Sequence, residues 1–180
     1  MINTLELEKK AAMDAAAKIA AAVRTAPKGC GVDDVEVLVL EGKDKDALTR
    51  EMRQITIEGE ADYFTRDAGC VDDSYCIVLV GVHNNPLGLT SCGYCGFKDC
   101  AEMQAAGGHC SFKTVDLGIA IGSAVSIAAD NRIDNRVLFS AGVAARRLKL
   151  FPDDVIDSFG IPLAVKGKSP FYDRIEQAEG

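Results

Sequence analysis

Four cysteines spaced Cys92-x2-Cys95-x4-Cys100-x9-Cys110 constrain this chain more than any other feature. Thiols so close in sequence cost little loop-closure entropy to gather, and four of them saturate either tetrahedral zinc or a four-iron cluster. Gly93 and Gly96 flank the first pair, where missing side chains let backbone amides approach a metal-bound sulfur and tune its potential. The segment over 91–110 therefore reads as loop and short helix holding a metal centre. Its ligands are Cys92, Cys95, Cys100 and Cys110, with His109 as the rival to the last.

The seven cysteines are an odd number, and in a reducing compartment such thiols bind metal more readily than they form structural disulfides. The cytoplasm is the expected compartment, because the N-terminal residues lack the basic-then-apolar layout of a secretory signal. Cys76 opens an apolar strand and reads as a small core residue. Cys30 lies in a glycine-flanked loop near Lys28, where a thiolate is stabilised, and is a candidate reactive thiol. His83 and His109 read as satisfied polar residues. The longest apolar stretch, over 117–129, is broken by glycines and serines and reads as a core helix, not a membrane span. A net charge of -7 argues against nucleic acid or an anionic membrane as the main partner.

With 180 residues and no linker-like tract or long-period repeat, the chain reads as a single domain over 1–180 with the cysteine segment inserted in it. The spacing predicts a helix over 4–23, capped by Asn3 with Glu6 completing a capping box. A strand over 35–40, a helix over 44–58, a loop over 63–73 and a buried strand over 76–82 follow. Beyond the cysteines, helices are expected over 115–129 and 141–148, and a strand over 161–165. Strands and helices alternate only in part, which points to an α+β fold with helices packed on a mixed β-sheet.

Zinc competes with iron at the cysteines, since zinc sites also use a Cys-x2-Cys hook. The run Cys92-Gly93-Tyr94-Cys95-Gly96-Phe97-Lys98-Asp99-Cys100 resembles the start of the iron–sulfur domain of corrinoid iron–sulfur proteins, although the final cysteine comes sooner here. A 4Fe-4S cluster is the expected occupant, with zinc as the alternative.

Residues 24–31, the cysteine segment and the segments 116–123, 130–136 and 167–174 together resemble uncharacterised prokaryotic proteins containing a ferredoxin domain. Ala26-Pro27-Lys28-Gly29 and the strand after it are also similar to the loop and strand of nitroreductases, as 116–130 is to their central helix and 161–174 to their closing strand and basic tail. That second resemblance implies an α+β, nitroreductase-like homodimer with FMN at the subunit interface. The arginine-rich segment that precedes the first helix in nitroreductases is missing here. Arg24, Lys28, Lys168 and Arg174, with Lys166 beside them, are then the groups available to a flavin phosphate.

The sequence thus implies an iron–sulfur redox or electron-transfer protein serving a redox partner protein or a small-molecule acceptor, or a flavin-dependent reductase. The alternative is a non-enzymatic binding or assembly module with a structural zinc or iron–sulfur staple. No general acid, nucleophile or phosphate-binding fingerprint stands out, so no catalytic residue is assigned.

Overall fold

Asn3 starts the first helix, α1 (Thr4–Thr25), through the expected capping box: its Oδ1 accepts from Glu6 N at 2.9 Å while Glu6 Oε2 accepts from Asn3 N at 3.3 Å. Such a cap contributes about 1 kcal/mol. The computed structural model describes residues 2–59 and 61–172. The other end of α1 is closed by Lys28, whose ammonium donates to Val23 O, Arg24 O and Ala26 O at 2.8, 2.8 and 2.9 Å. It satisfies orphan carbonyls and sits at the negative end of the helix dipole.

A turn at Gly29–Gly31 leads into β1 (Val35–Leu40), α2 (Gly42–Ile57), α3 (Tyr63–Asp72) and β2 (Cys76–His83). A segment of turns then reaches α4 (Cys100–Ala105) and α5 (Ser111–Asp130), followed by β3 (Asp134–Asn135), α6 (Phe139–Arg147) and β4 (Val155–Ala164). The four strands form one sheet in the order β1-β2-β4-β3. The fold is α+β with helices on a sheet, as expected. The sheet itself differs from the expected mixed one, because every pairing among the described residues is antiparallel. Two helices, α2 and α3, separate β1 from β2, and the two strands run antiparallel.

Helices cover both faces of the sheet. Cys76, Val78, Val80 and Val82 of β2 face α1 and α5, while Ile77 and Leu79 face the layer formed by α2, α3 and α6. A strand buried on both faces must be apolar, and β2 is from Cys76 to Val82, with the half-buried His83 at its end. Each such valine or leucine stabilises the fold by about 1.5–3 kcal/mol. The contact between α1 and α5 is made of small side chains, among them Ala12, Ala15 and Ala16 on one helix and Ala120, Ala124 and Ala128 on the other. By length and composition α5 could cross a membrane; here Leu117 and its three buried alanines pack in the core.

Three elements depart from the sequence expectation. Residues 63–72 form a helix instead of a loop: Phe64, Ala68 and Val71 make a buried stripe that local glycine and aspartate obscure. The end of α3 is held by Lys45, which donates to Val71 O, Asp72 O and Ser74 O at 3.0, 3.1 and 2.8 Å. β4 begins six residues earlier than expected, through Asp157, Ser158 and Gly160, because pairing with β2 overrides their weak strand preference. β3 has only two residues and no local signal. Gly142 lets α6 lie directly on β4: a Cβ there would meet Ser158 O at 1.8 Å.

Candidate metal centre

Beyond His83 the chain has no regular secondary structure until Cys100, and its path is set by local bonds. Gly93 and Gly96 take left-handed conformations, φ 64° and 85°, and Gly96 N donates to Gly93 O at 3.0 Å, closing a turn that carries Cys92 and Cys95. Asp99 caps α4 by accepting from Glu102 N at 2.9 Å, and Glu102 Oε2 accepts from Lys98 N at 2.7 Å. Cys100 is thereby fixed as the first residue of α4. After α4 the chain reverses at Gly107 and Gly108 over the buried Met103, and Cys110 becomes the N-cap of α5.

These turns bring the four predicted cysteines to the wall of one shallow hollow. Leu89, Tyr94, Phe97, Met103 and Phe112 supply most of the remaining wall. Tyr94 lies against Phe112 with ring centres 5.4 Å apart, joining the start of the cysteine run to its end. His109 is exposed and does not line the hollow, whereas Cys110 is 7% exposed and does. All seven cysteines are free thiols. Among the described residues no three His, Cys, Asp or Glu side chains converge as ligands of a single ion.

The first turns of α5 carry a group of residues with no motif in the sequence. Lys113, one turn into α5, is fully buried; its Nζ is 2.5 Å from Asp34 Oδ2 and 3.7 Å from Asp116 Oδ2. Asp116 Oδ1 accepts from Gly29 N at 2.8 Å, tying α5 to the turn that carries Cys30. Burial disfavours the Asp34 carboxylate, but Lys113 and Asn85 overcome this and hold its pKa below the usual value. The only sequence trace of this group is a lysine and an aspartate three apart at the start of an apolar helix. Beside it, at the end of the sheet, His83 is held between Glu36 Oε1 at 3.2 Å and Asp154 Oδ2 at 2.9 Å. Burial disfavours the charged ring, yet the two carboxylates outweigh it and raise the His83 pKa.

A family described as "Uncharacterized protein containing a ferredoxin domain" (DUF2148) matches residues 106–174. An uncharacterised protein of Archaeoglobus fulgidus is 35% identical over 182 residues, spanning 97% of each chain. The chain belongs to this ferredoxin-domain family. The match contains Cys110, Lys113 and Asp116 and begins after Cys92, Cys95 and Cys100. The fold is nitroreductase-like. A nitroreductase family protein from Clostridium novyi NT superposes with a TM-score of 0.59 at 18% identity, covering 84% of this chain and 73% of that one. A nitroreductase with bound FMN from Desulfitobacterium hafniense DCB-2 gives 0.58 at 16%, covering 86% and 78%.

In this ferredoxin-domain chain the basic residues suggested for a phosphate do not form one site among the described residues. Arg24 donates to Val35 O at 2.6 Å and pairs with Asp33 at 3.2 Å. The three donors of Lys28 all meet carbonyls of α1, as described above, which leaves none for a ligand. Both lie at the end of the sheet where Val35 pairs with Val82. Lys166 pairs with Asp73 at 2.8 Å near the opposite end, beside Cys76, and Lys168 follows it two residues on. Strand β2 separates the two ends by roughly 25 Å at the usual rise per residue. Arg174 lies outside the described residues. Cys30 is exposed, with a left-handed φ of 55°, and Lys28 turns its ammonium toward α1.

Proposed function

We propose that this protein is an iron–sulfur redox protein in which Cys92, Cys95, Cys100 and Cys110 hold a 4Fe-4S cluster and exchange electrons with a partner protein or small acceptor. The observation that carries the reading is that one hollow collects all four cysteines of the motif and excludes His109. The donor set fits the group. Four soft thiols with mostly apolar walls suit iron and sulfide, and membership of a ferredoxin-domain family agrees. A single zinc ion would need four sulfurs each about 2.3 Å from one point. No such convergence occurs among the described residues, whereas a cluster carries its own bulk and spreads its thiolates apart. When bound, the cluster supplies one-electron chemistry. The chain's own part is to hold the thiolates on the Gly93–Gly96 turn and at the starts of α4 and α5, and to cover them in part with Tyr94 and Phe112.

Anaerobic purification should give a brown protein with about four iron and four sulfide per chain, as the four-thiolate motif requires. Cys95→Ser should abolish the colour. Colourless protein with stoichiometric zinc would overturn the reading in favour of a structural staple, and a reversible midpoint potential with retained fold separates electron transfer from a cluster that serves only as a staple.

The flavin-reductase reading is favoured by the fold and by the FMN bound in the similar Desulfitobacterium hafniense nitroreductase. Within one chain the phosphate contacts do not fit, since Lys28 is consumed and the two basic loops lie at opposite ends of the sheet, so no step is assigned to a flavin. A second copy of the chain is the partner expected on α5, where Val115 and Ile119 are 54% and 40% exposed beside Gly118 and Gly122. Sedimentation equilibrium of wild type against Ile119→Glu tests that homodimer. The free thiols agree with a reducing, cytoplasmic setting.

A further inference from the structure

We propose that Asn84 is the positioning residue for the fourth thiolate, an inference that rests on the cluster reading above and adds to it the part of the fold that holds one corner. Asn84 leaves the end of β2 and makes two side-chain bonds to one stretch of backbone: its Oδ1 accepts from Cys110 N at 3.3 Å and its Nδ2 donates to Gly108 O at 3.2 Å. Its own N–H donates to Asp154 O at 3.0 Å, so the clamp is anchored on the sheet. A side-chain amide used at both atoms imitates a backbone bridge and fixes orientation as well as distance.

Cys110 needs such a clamp and the other three cysteines do not. Cys92, Cys95 and Cys100 sit on a segment organised by its own turn and by the Asp99 and Glu102 bonds. Cys110 comes after α4 and a two-glycine reversal, where the chain has most freedom. It is the N-cap of α5, yet its side chain makes no capping bond, so the sulfur stays available to the hollow it lines. Asn84 therefore makes the iron at Cys110 a firmly held corner of the cluster. Loss of Asn84 makes it the labile one.

The test compares wild type, Asn84→Ala and Asn84→Asp, each purified anaerobically and treated with limiting ferricyanide. A [4Fe-4S]2+ cluster that releases Fe2+ from one corner and gives one electron to ferricyanide becomes [3Fe-4S]+, which electron paramagnetic resonance detects. The three-iron fraction should rise about five-fold or more in Asn84→Ala, since two side-chain bonds, each worth about five-fold, are lost. It should rise less in Asn84→Asp, which keeps the oxygen that accepts from Cys110. If neither variant exceeds wild type, the proposal is wrong, and Asn84→Asp decides alone should Asn84→Ala not fold. Hydrogen exchange of residues 108–110 in the as-purified proteins gives a readout that does not depend on iron. Exchange of the Cys110 N–H should quicken about five-fold in Asn84→Ala, the effect of the one hydrogen bond this amide donates to Asn84. Quickened exchange in a zinc-loaded protein would overturn the cluster reading while keeping the clamp; unchanged exchange in an iron-loaded one would overturn the clamp alone.

Discussion

Lys113 Nζ and Asp34 Oδ2 meet at 2.5 Å with no solvent access to the lysine, and Asp116 stands behind them at 3.7 Å. Among the described residues neither Lys113 Nζ nor Asp116 Oδ2 makes a well-directed hydrogen bond, so charge alone compensates their burial. Removing the ammonium strands two carboxylates in a poorly solvated site, a change that costs about 3–5 kcal/mol for a buried pair. Lys113→Met should lower stability by about 3 kcal/mol, the lower end because Asp34 keeps some exposure. Urea unfolding measures it, and adding Asp34→Asn to the same chain should recover part of the loss.

Stability should depend on pH with two opposite arms. Asp34 is depressed below 3.8, so its contribution is complete above that value and is lost as pH falls through its folded pKa. His83 is raised above 6.5, so its contribution is complete below that value and is lost as pH rises through its folded pKa. Both contributions are complete between 3.8 and 6.5. Urea midpoints across pH should fall on either side of this window, and His83→Gln should flatten the alkaline arm only.

Gly142→Ala places a methyl group 1.8 Å from Ser158 O, and neither partner can yield because one is a helix backbone and the other a strand. The expected loss is at least about 3 kcal/mol, above the usual range for an overpacked core. Gly69→Ala, in α3 with open space at its Cβ, is the control and should be neutral or slightly stabilising.

Burial pushes the Cys76 thiol up to about 12, with Glu41 adding to the effect. At pH 8 its thiolate fraction is then about one part in ten thousand. Brief alkylation of the native protein followed by peptide mapping should label the exposed Cys30 and leave Cys76 unmodified until denaturant is added. Native labelling of Cys76 would show that β2 opens locally.

What could be read from the sequence was what local residues or strong periodicity decide. Asn3 and Glu6 specify the start of α1 within one turn, and burial of β2 on both faces wrote an uninterrupted apolar run. The spacing of the cysteines located the hollow, because most of that segment folds on local bonds. By contrast, α3 depends on Lys45 and on packing against α2 and α6, and the direction of the strands depends on pairing between distant segments. Lys113 with Asp34 and Asn84 with Cys110 are pairings across the fold, and no pattern in either partner's neighbourhood announces them.

The four cysteines stand on two different supports. Cys110 is held through Asn84 by contacts between distant parts of the chain, since Asn84 is itself bonded to Asp154 O. The other three arrive by closing a short loop, an entropic cost that rises only slowly with length. If the four cysteines hold the proposed cluster, Cys110 is the ligand that the folded scaffold places independently of the metal.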